Sequence, residues 1–331
     1  MINGHFQRRH QVKNTLQRIR NGLGGLGAAV FMTGCRQMPL LDPKGPIGEA
    51  QRHLIITTFA LMLIVVVPVF VLVFWFTRKY RASNSKATYA PQWAYSAPID
   101  SVIWLVPVVI VIALSYFTWT GTFRLDPYKP IAAAHEPLPI EVVSLDWKWL
   151  FIYPEQNIAV VNQLVFPANV PLRFKLTSDS VMTSFFIPRL GSQMYAMAGM
   201  QTQLNLMADE PGVYTGHNQE FSGRGYADMH FKAIAATPGE FQAWLAKVRQ
   251  SSDVLDTARF AQLRKPTTAN PVAFFSSVEP ALFQRIVRTY RGWMGPMTAP
   301  DRPGTMGHDS GPMPPQAADA DHPSPAKRKE G

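Results

Sequence analysis

The side chains best suited to metal chemistry are three methionines and two histidines in the second half of the chain. Met194, Met197 and Met200 recur at every third residue, and His217 and His230 follow them. Thioethers and imidazoles are ligands that copper accepts. Methionine also fills irregular packing interfaces, so we expect the methionines to pack against a neighbouring protein and the histidines to be polar surface residues. The sequence contains no catalytic triad, phosphate-binding loop or zinc motif.

The only cysteine, Cys35, restricts the metal sites that this chain can form. One thiol excludes an intrachain disulfide, a cysteine-rich zinc site and any centre that needs two thiolates from this chain. Cys35 follows a basic segment and a short run of small apolar residues. This order predicts a signal peptide over residues 1–34 and an acylated Cys35 at the start of a lipidated segment, residues 35–52. The alternative is a lone buried thiol near an uncleaved N-terminus.

The net charge of +10 depends strongly on the predicted signal peptide. Residues 1–34 hold five basic residues and no acid, so the net charge falls to +5 when they are removed. The basic balance that would favour nucleic-acid binding then loses its main support. We therefore expect no nucleic-acid partner.

Two long stretches of the chain are strongly apolar and lack charged residues. Leu54–Phe76 has 23 residues and Ser101–Thr120 has 20. At about 1.5 Å per residue, each is long enough to cross the roughly 30 Å hydrocarbon core of a bilayer. We predict transmembrane helices over residues 53–76 and 101–121.

The connection between the two stretches, residues 77–100, indicates their orientation. It carries four basic residues before Asp100, its first acid. Because short basic loops face the cytoplasm, this loop is predicted to be cytoplasmic, whereas Cys35 and everything after residue 121 lie outside. We expect a bacterial inner-membrane protein with a large C-terminal domain in the periplasm.

Residues 122–236 are predicted to form that periplasmic domain. From Leu138 to Ile234, short runs rich in Val, Ile, Phe and Tyr are separated by Pro, Gly and Asn. This pattern is typical of an all-β sandwich or small barrel.

The pattern changes to helical in residues 237–292. A capping box at Thr237 and Glu240, followed by apolar residues at helical spacing, predicts a helix near residues 238–250. Two further short helices are predicted near residues 254–264 and 279–291. The tail, residues 293–331, has no apolar periodicity and is predicted to be disordered.

Two segments of the β region resemble a known family. Residues 177–188, followed by Gly199-Met200-Gln201-Thr202, are similar to the cupredoxin-type domain of haem–copper oxidase subunit II. Members that oxidise cytochrome c carry a His at the position of Thr183 and the copper motif C-S-E-L-C-G-x-x-H-x-x-M, which corresponds here to residues 218–229. On this register both cysteines and both histidines are replaced. The positions of the lost copper site are Thr183, Asn218, Glu220, Ser222, Tyr226 and Met229.

The resemblance implies a domain that has lost its metal. A binuclear copper centre needs two bridging thiolates, and the corresponding residues here are Asn218 and Ser222. In the family, Glu220 contributes only its backbone carbonyl, and Met229 is a weak thioether ligand. We expect no metal in this domain, no cofactor in this chain and no electron transfer from cytochrome c.

Loss of the copper ligands is typical of the quinol-oxidising branch of the family. Residues 146–154 and 185–200 are similar to subunit II of cytochrome bo-type ubiquinol oxidases. This resemblance implies that ubiquinol delivers electrons directly to a subunit I, which holds the haems and one copper, reduces oxygen to water and pumps protons. It also implies further membrane subunits, III and IV, and no catalytic centre in this chain.

Further residues have both a functional and a structural interpretation. Trp147 and Trp149 are predicted to alternate on a strand and so to share one face, where they pack against subunit I or within the core. The three methionines match a family stretch near the junction with subunit I. Asp100 is close to the position of an acid at the mouth of a proton pathway in the family, but Asp also favours the start of a helix.

Two alternatives to the quinol-oxidase interpretation remain at this point. One is subunit II of a cytochrome c oxidase, which requires two bound copper ions in the outer domain. The other is a free-standing copper-binding lipoprotein, which would purify alone instead of with a haem-bearing partner.

Overall fold

A computed structural model describes residues 38–88, 90 and 92–291 of the chain. The predicted signal peptide, Cys35 and the predicted disordered tail lie outside the described residues. Within the described part, the helices are α1 (Pro46–Lys79), α2 (Ala97–Arg124), α3 (Pro238–Arg249), α4 (Thr257–Leu263) and α5 (Leu282–Arg291), with short 3-10 helices at Pro39–Leu41 and Tyr226–Asp228. The strands are β1 (Leu138–Leu145), β2 (Lys148–Tyr153), β3 (Ile158–Val161), β4 (Gln163–Pro167), β5 (Leu172–Ser178), β6 (Thr183–Ile187), β7 (Gly191–Ala196), β8 (Thr202–Leu206), β9 (Gly212–Asn218), β10 (His230–Ala236) and β11 (Ala273–Phe275).

The predicted pair of apolar helices is confirmed by α1 and α2. Both are long and apolar enough to cross a membrane, and their central side chains are almost entirely exposed in the isolated chain. Each helix contains an internal proline, Pro68 in α1 and Pro107 in α2, which membrane helices tolerate when neighbouring groups satisfy the freed carbonyls. With 34 residues, α1 is about 51 Å long, well beyond the roughly 30 Å of the hydrocarbon core. It therefore begins earlier than the apolar stretch that identified it.

The β region folds into two packed sheets, as predicted. One sheet has six strands in the order β11-β3-β2-β1-β5-β8, and the other has five in the order β4-β10-β9-β6-β7. The pairs β1/β5 and β4/β10 are parallel and the remaining pairs are antiparallel. Aromatic rings fill the space between the sheets: Phe185 stacks on Phe231 with centroids 5.2 Å apart, and both rings contact Trp149 and Phe151.

In the C-terminal segment, α4 and α5 cover the other face of the six-stranded sheet, whereas α3 adds Phe241, Leu245 and Val248 to the core between the sheets. Helix α3 begins with the predicted capping box, in which the side chains of Thr237 and Glu240 each accept from the other's backbone N–H. Helices α4 and α5 bury Phe260, Leu282 and Phe283 in a second apolar cluster together with residues of β1, β2 and β3. The short strand β11, which the sequence pattern did not predict, extends the sheet at β3.

A buried lysine holds this C-terminal segment against the sheet. Lys148 on β2 is 1% exposed, and its Nζ donates to the backbone oxygens of Leu263 and Lys265 and to Thr267 Oγ1, at 2.6–2.9 Å. Burial lowers the pKa of this ammonium group, against a smaller opposite effect of Asp146. Because Nζ donates hydrogen bonds to three oxygens, the ammonium group is stabilised although the side chain is buried.

The first turns of α1 dock directly on the β6–β7 turn. The Gly48 amide donates to the carbonyl of Leu190 at 3.0 Å, and the Gln51 carboxamide exchanges two hydrogen bonds with Ser192. Gly191 has a φ of +108°, and a Cβ at this position would lie 2.8 Å from Gly48 N and 2.9 Å from Ile47 Cγ2. The close approach of helix and turn therefore depends on glycine at position 191.

We predict that Gly191→Ala destabilises the junction of α1 with the sheet. The new methyl group is strained by the positive φ and overlaps backbone atoms of α1, which should cost about 1–3 kcal/mol of unfolding free energy. Urea unfolding of the detergent-solubilised chain, followed by tryptophan fluorescence, measures the loss.

Gly239→Ala is the matched control, because nothing lies within 4 Å of a Cβ at position 239. This variant should be as stable as the unaltered chain, or up to about 1 kcal/mol more stable, because alanine favours a helix over glycine. Equal urea midpoints for the two glycine variants would contradict the proposed role of Gly191.

Candidate functional site

The residues of the lost copper motif lie around the loop that joins β9 to β10. Asn218 is the last residue of β9 and Met229 directly precedes β10. Thr183, the first residue of β6, is on the strand next to β9. Asn218, Met229 and Thr183 are buried, with 3%, 2% and 2% exposure, so the site is closed on its inner side.

The carboxamide of Asn218 lies at the centre of this loop. Its Nδ2 contacts Glu220 O at 2.7 Å, Ser222 Oγ at 3.1 Å and Met229 Sδ at 3.5 Å. The three contacted groups occupy the positions of a carbonyl, a thiolate and a thioether ligand in the copper motif. The Asn218 amide group therefore contacts three positions that would otherwise ligate a metal.

The acceptor side of the same carboxamide ties the loop to β6. Asn218 Oδ1 accepts from the backbone N–H of Ser184 at 2.8 Å and of Glu220 at 3.0 Å. The backbone N–H of Gln219 donates to the backbone carbonyl of Ser184 at 3.1 Å. One neutral side chain thus satisfies polar groups of the loop and of the neighbouring strand, and buried polar groups without such partners are costly.

The donor set of the site does not fit a binuclear copper centre. Asn218 and Ser222 supply a neutral amide and a neutral hydroxyl, whereas such a centre needs bridging thiolates. Among the residues that the structure describes, no three His, Cys, Asp or Glu side chains come together in a metal-binding arrangement. The expected absence of metal stays a prediction, which the chemistry of these side chains supports.

Trp147 packs against the other side of the loop. Its Nε1 donates to the carbonyl of Ser222 at 2.9 Å. A Cβ on Gly225 would lie 2.4 Å from Trp147 Cδ2, and a Cβ on Gly223 would lie 3.3 Å from its Cζ2. The loop is therefore held on its inner side by the hydrogen bonds of Asn218, and on its other side by the Trp147 ring, which packs against Gly223 and Gly225.

Two of the motif positions take no part in the Asn218 network. Tyr226 packs against Phe221, with ring centroids 5.7 Å apart, and Phe221 itself is 75% exposed. Thr183 Oγ1 makes no hydrogen bond with the described residues. The structure thus brings Asn218, Glu220, Ser222 and Met229 together, and the side chains at the two positions equivalent to histidines form no hydrogen bond with this group.

Comparisons with known proteins agree with this geometry. Residues 140–235 match the family model described as cytochrome c oxidase subunit II, periplasmic domain, and residues 249–293 match the COX aromatic rich motif. The chain is 51% identical to cytochrome bo(3) ubiquinol oxidase subunit 2 of Pseudomonas putida, over 80% of this chain and 83% of the relative. It is 50% identical to ubiquinol oxidase subunit 2 of Acetobacter aceti, over 86% and 92%, and 37% identical to quinol oxidase subunit 2 of a Bacillus cereus strain, over 76% and 87%.

The chain belongs to the ubiquinol oxidase subunit 2 family. Its fold is the cupredoxin-like periplasmic domain of that family preceded by a hairpin of two apolar helices, as the sequence predicted. As a subunit 2, the chain is one component of an oxidoreductase complex and has other oxidase subunits as partners. Two apolar helices and a periplasmic-type domain fit an inner-membrane protein.

Within this family fold, the prediction that Trp147 and Trp149 share one strand face is wrong. Trp147 has a φ of +61° and lies in the turn between β1 and β2. Trp149 lies on β2 with no exposed surface, in contact with Phe185 and Phe231. Trp149 is therefore a core residue with no surface for a contact with subunit I. A contact of Trp147 with subunit I stays a prediction.

The three methionines that were predicted to face subunit I are all half-buried. Met194 lies on β7 and packs against the core of the sandwich. Met197 and Met200 follow β7 in a turn, and the carbonyl of Met197 accepts from the Thr177 hydroxyl at 3.3 Å. Their contact with a partner subunit stays a prediction.

Asp100 lies in the first turn of α2 and is half-buried. Its Oδ2 accepts from the backbone N–H of Ser96 at 3.3 Å. This contact supports the structural interpretation, in which an acid stabilises the start of a helix. It leaves the predicted role in proton uptake untested.

We predict that Asn218→Ala destabilises the periplasmic domain by about 1–3 kcal/mol, because the buried amides of Ser184 and Glu220 lose their acceptor. Urea unfolding of the full chain in detergent measures this change. Gln219→Ala alters the exposed neighbour and should stay within about 0.5 kcal/mol of the unaltered chain. A loss of equal size in both variants would show that the Asn218 carboxamide has no special role.

Proposed function

We propose that this chain is the non-redox subunit of a proton-pumping terminal oxidase that converts ubiquinol and O2 to ubiquinone and water. The single observation that carries the proposal is the Asn218 carboxamide, which takes the contacts of a metal at the lost copper motif. A domain with such a neutral, hydrogen-bonded centre has no group that accepts an electron. The relatives named as ubiquinol and quinol oxidase subunit 2 support a quinol as the electron donor, delivered through subunit I.

The proposed work of this chain is structural. The exposed apolar sides of α1 and α2 supply surfaces for the transmembrane helices of subunit I and for lipid. The close docking of α1 on the β6–β7 turn would hold the periplasmic domain as a cap above subunit I. Haems and one copper belong to subunit I in this proposal, and subunits III and IV complete the complex.

An N-terminal lipid anchor fits the same arrangement. Cys35 lies eleven positions before Pro46, where the helix that leads into the membrane begins. Acyl chains on Cys35 would insert into the outer leaflet close to α1. The sequence context of Cys35 supports this lipidation.

Purification from the native membrane in mild detergent tests the proposed function. We expect an affinity tag on this chain to recover a multi-span protein with haem absorbance and with ubiquinol oxidase activity that needs no cytochrome c. We also expect the isolated chain, after incubation with copper, to show no near-infrared band of a dicopper centre. Recovery of the chain alone, or the appearance of that band, would contradict the proposal.

The proposed role of Asp100 in proton uptake has a separate test. Asp100→Asn keeps an oxygen that can accept from Ser96 but removes the titratable charge. If the carboxylate gathers protons for subunit I, turnover and proton uptake by the complex should fall while assembly is unchanged. Unchanged turnover and proton uptake in this variant would leave only the helix-capping role.

Asp100→Ala serves as the control for capping, because it also removes the hydrogen bond to Ser96. Loss of this half-buried capping interaction should cost about 0.5–2 kcal/mol. If both variants lose activity and only Asp100→Ala loses stability, the role in proton uptake is distinct from the capping role.

A further inference from the structure

Two histidines lie directly opposite each other on the outer face of the five-stranded sheet. His217 on β9 is paired with His230 on β10 in the antiparallel ladder. The next pair toward the loop is Asn218 and Met229, whose side chains are buried. Because successive side chains on a strand point to opposite faces, the two imidazoles project outward at the ladder position next to the Asn218 network.

The ladder geometry brings these two side chains unusually close. The amide of Asn218 donates to the carbonyl of Met229 at 3.1 Å, so that pair is the hydrogen-bonded one. The adjacent pair, His217 and His230, is therefore non-hydrogen-bonded, and such pairs have their Cα atoms only about 4.5 Å apart. Two imidazoles at this separation can bind one ion, since each metal–nitrogen bond is about 2.0 Å long.

The environment of His217 favours the neutral, metal-binding form. Partial burial lowers the pKa of His217, and the nearby His230 lowers it further. The edge of the Phe186 ring packs against the imidazole, with centroids 5.7 Å apart, which restricts its orientation. Gln219 Nε2 donates to His217 Nε2 at 2.6 Å; a metal on this nitrogen would replace that contact, and the exposed carboxamide could then present its oxygen.

The number of protein ligands sets the character of such a site. The described residues contain no third histidine, cysteine or carboxylate in position to complete a metal-binding group. Lys232 lies two residues along β10 and is exposed on the same face, which weakens binding of any cation. An ion held here therefore has two imidazole ligands, with water completing its coordination.

We propose that His217 and His230 form a surface site for a divalent transition-metal ion, and that this site binds Cu2+ most tightly. Imidazole nitrogen suits copper and zinc, and Cu2+ binds a given set of nitrogen and oxygen donors more tightly than the other divalent ions of the first row. The site is separate from the lost copper motif, because its side chains point away from the core. It does not depend on the proposed oxidase function.

Titration of the metal-free full chain in detergent with Cu2+, followed by electron paramagnetic resonance, tests this site. We expect one equivalent of bound Cu2+ whose hyperfine pattern shows two imidazole nitrogens. His217→Asn and His230→Asn should each lose that signal. Both substitutions are on the outer face, and circular dichroism of the variants checks that the sheet is intact.

His308→Asn/His322→Asn and His135→Asn are the matched controls, since they remove imidazoles elsewhere in the chain. Each control should keep the two-nitrogen signal. Retention of the signal in the His217→Asn/His230→Asn double variant, or its loss in a control, would overturn the proposal. A spectrum of the unaltered chain with fewer than two imidazole nitrogens would overturn it as well, whatever the stability of the variants.

Discussion

The hydrogen bonds of the Asn218 carboxamide hold together the part of the sandwich where a metal would otherwise do so. The loop between β9 and β10 has eleven residues, residues 219–229, between Asn218 and His230. The polar groups on the inner side of this loop need hydrogen-bond partners, because buried backbone N–H and C=O groups are costly when unpaired. The carboxamide has both donors and acceptors, so it can satisfy Glu220, Ser222 and Ser184 at once.

This arrangement shows how hydrogen bonds can hold the loop of a copper-binding fold in place of metal–ligand bonds. A metal ion would connect its ligands through strong coordinate bonds, and removing it would leave polar donors buried without partners. Here the connection is made by neutral groups, and the Trp147 ring packs against the two loop glycines from the other side. Hydrogen bonds and packing thus hold the loop, and its side chains lack the soft, charged donors that make an electron carrier.

The same chain couples this domain firmly to the membrane hairpin. Helix α1 begins before the bilayer-sized apolar stretch, and its first turns lie against the β6–β7 turn, where Gly48 and Gly191 allow close approach of the two backbones. On the opposite face, Lys148 fastens the C-terminal helices to the six-stranded sheet. The junction of α1 with the β6–β7 turn is therefore the direct connection between the periplasmic domain and the membrane hairpin.

Much of this architecture was determined by the sequence alone. The lengths of the two apolar stretches, the short runs rich in Val, Ile, Phe and Tyr, and the capping box at Thr237 depend on local physical rules, and the structure has the corresponding elements. The family motif also located the loop around Asn218. Other features depended on tertiary contacts. They are the turn that separates Trp147 from Trp149, the strand β11, and the hydrogen bonds from Lys148 to the C-terminal segment. Each of these joins residues distant in the chain or relies on a backbone angle that residue type does not specify, so only the folded structure could decide them.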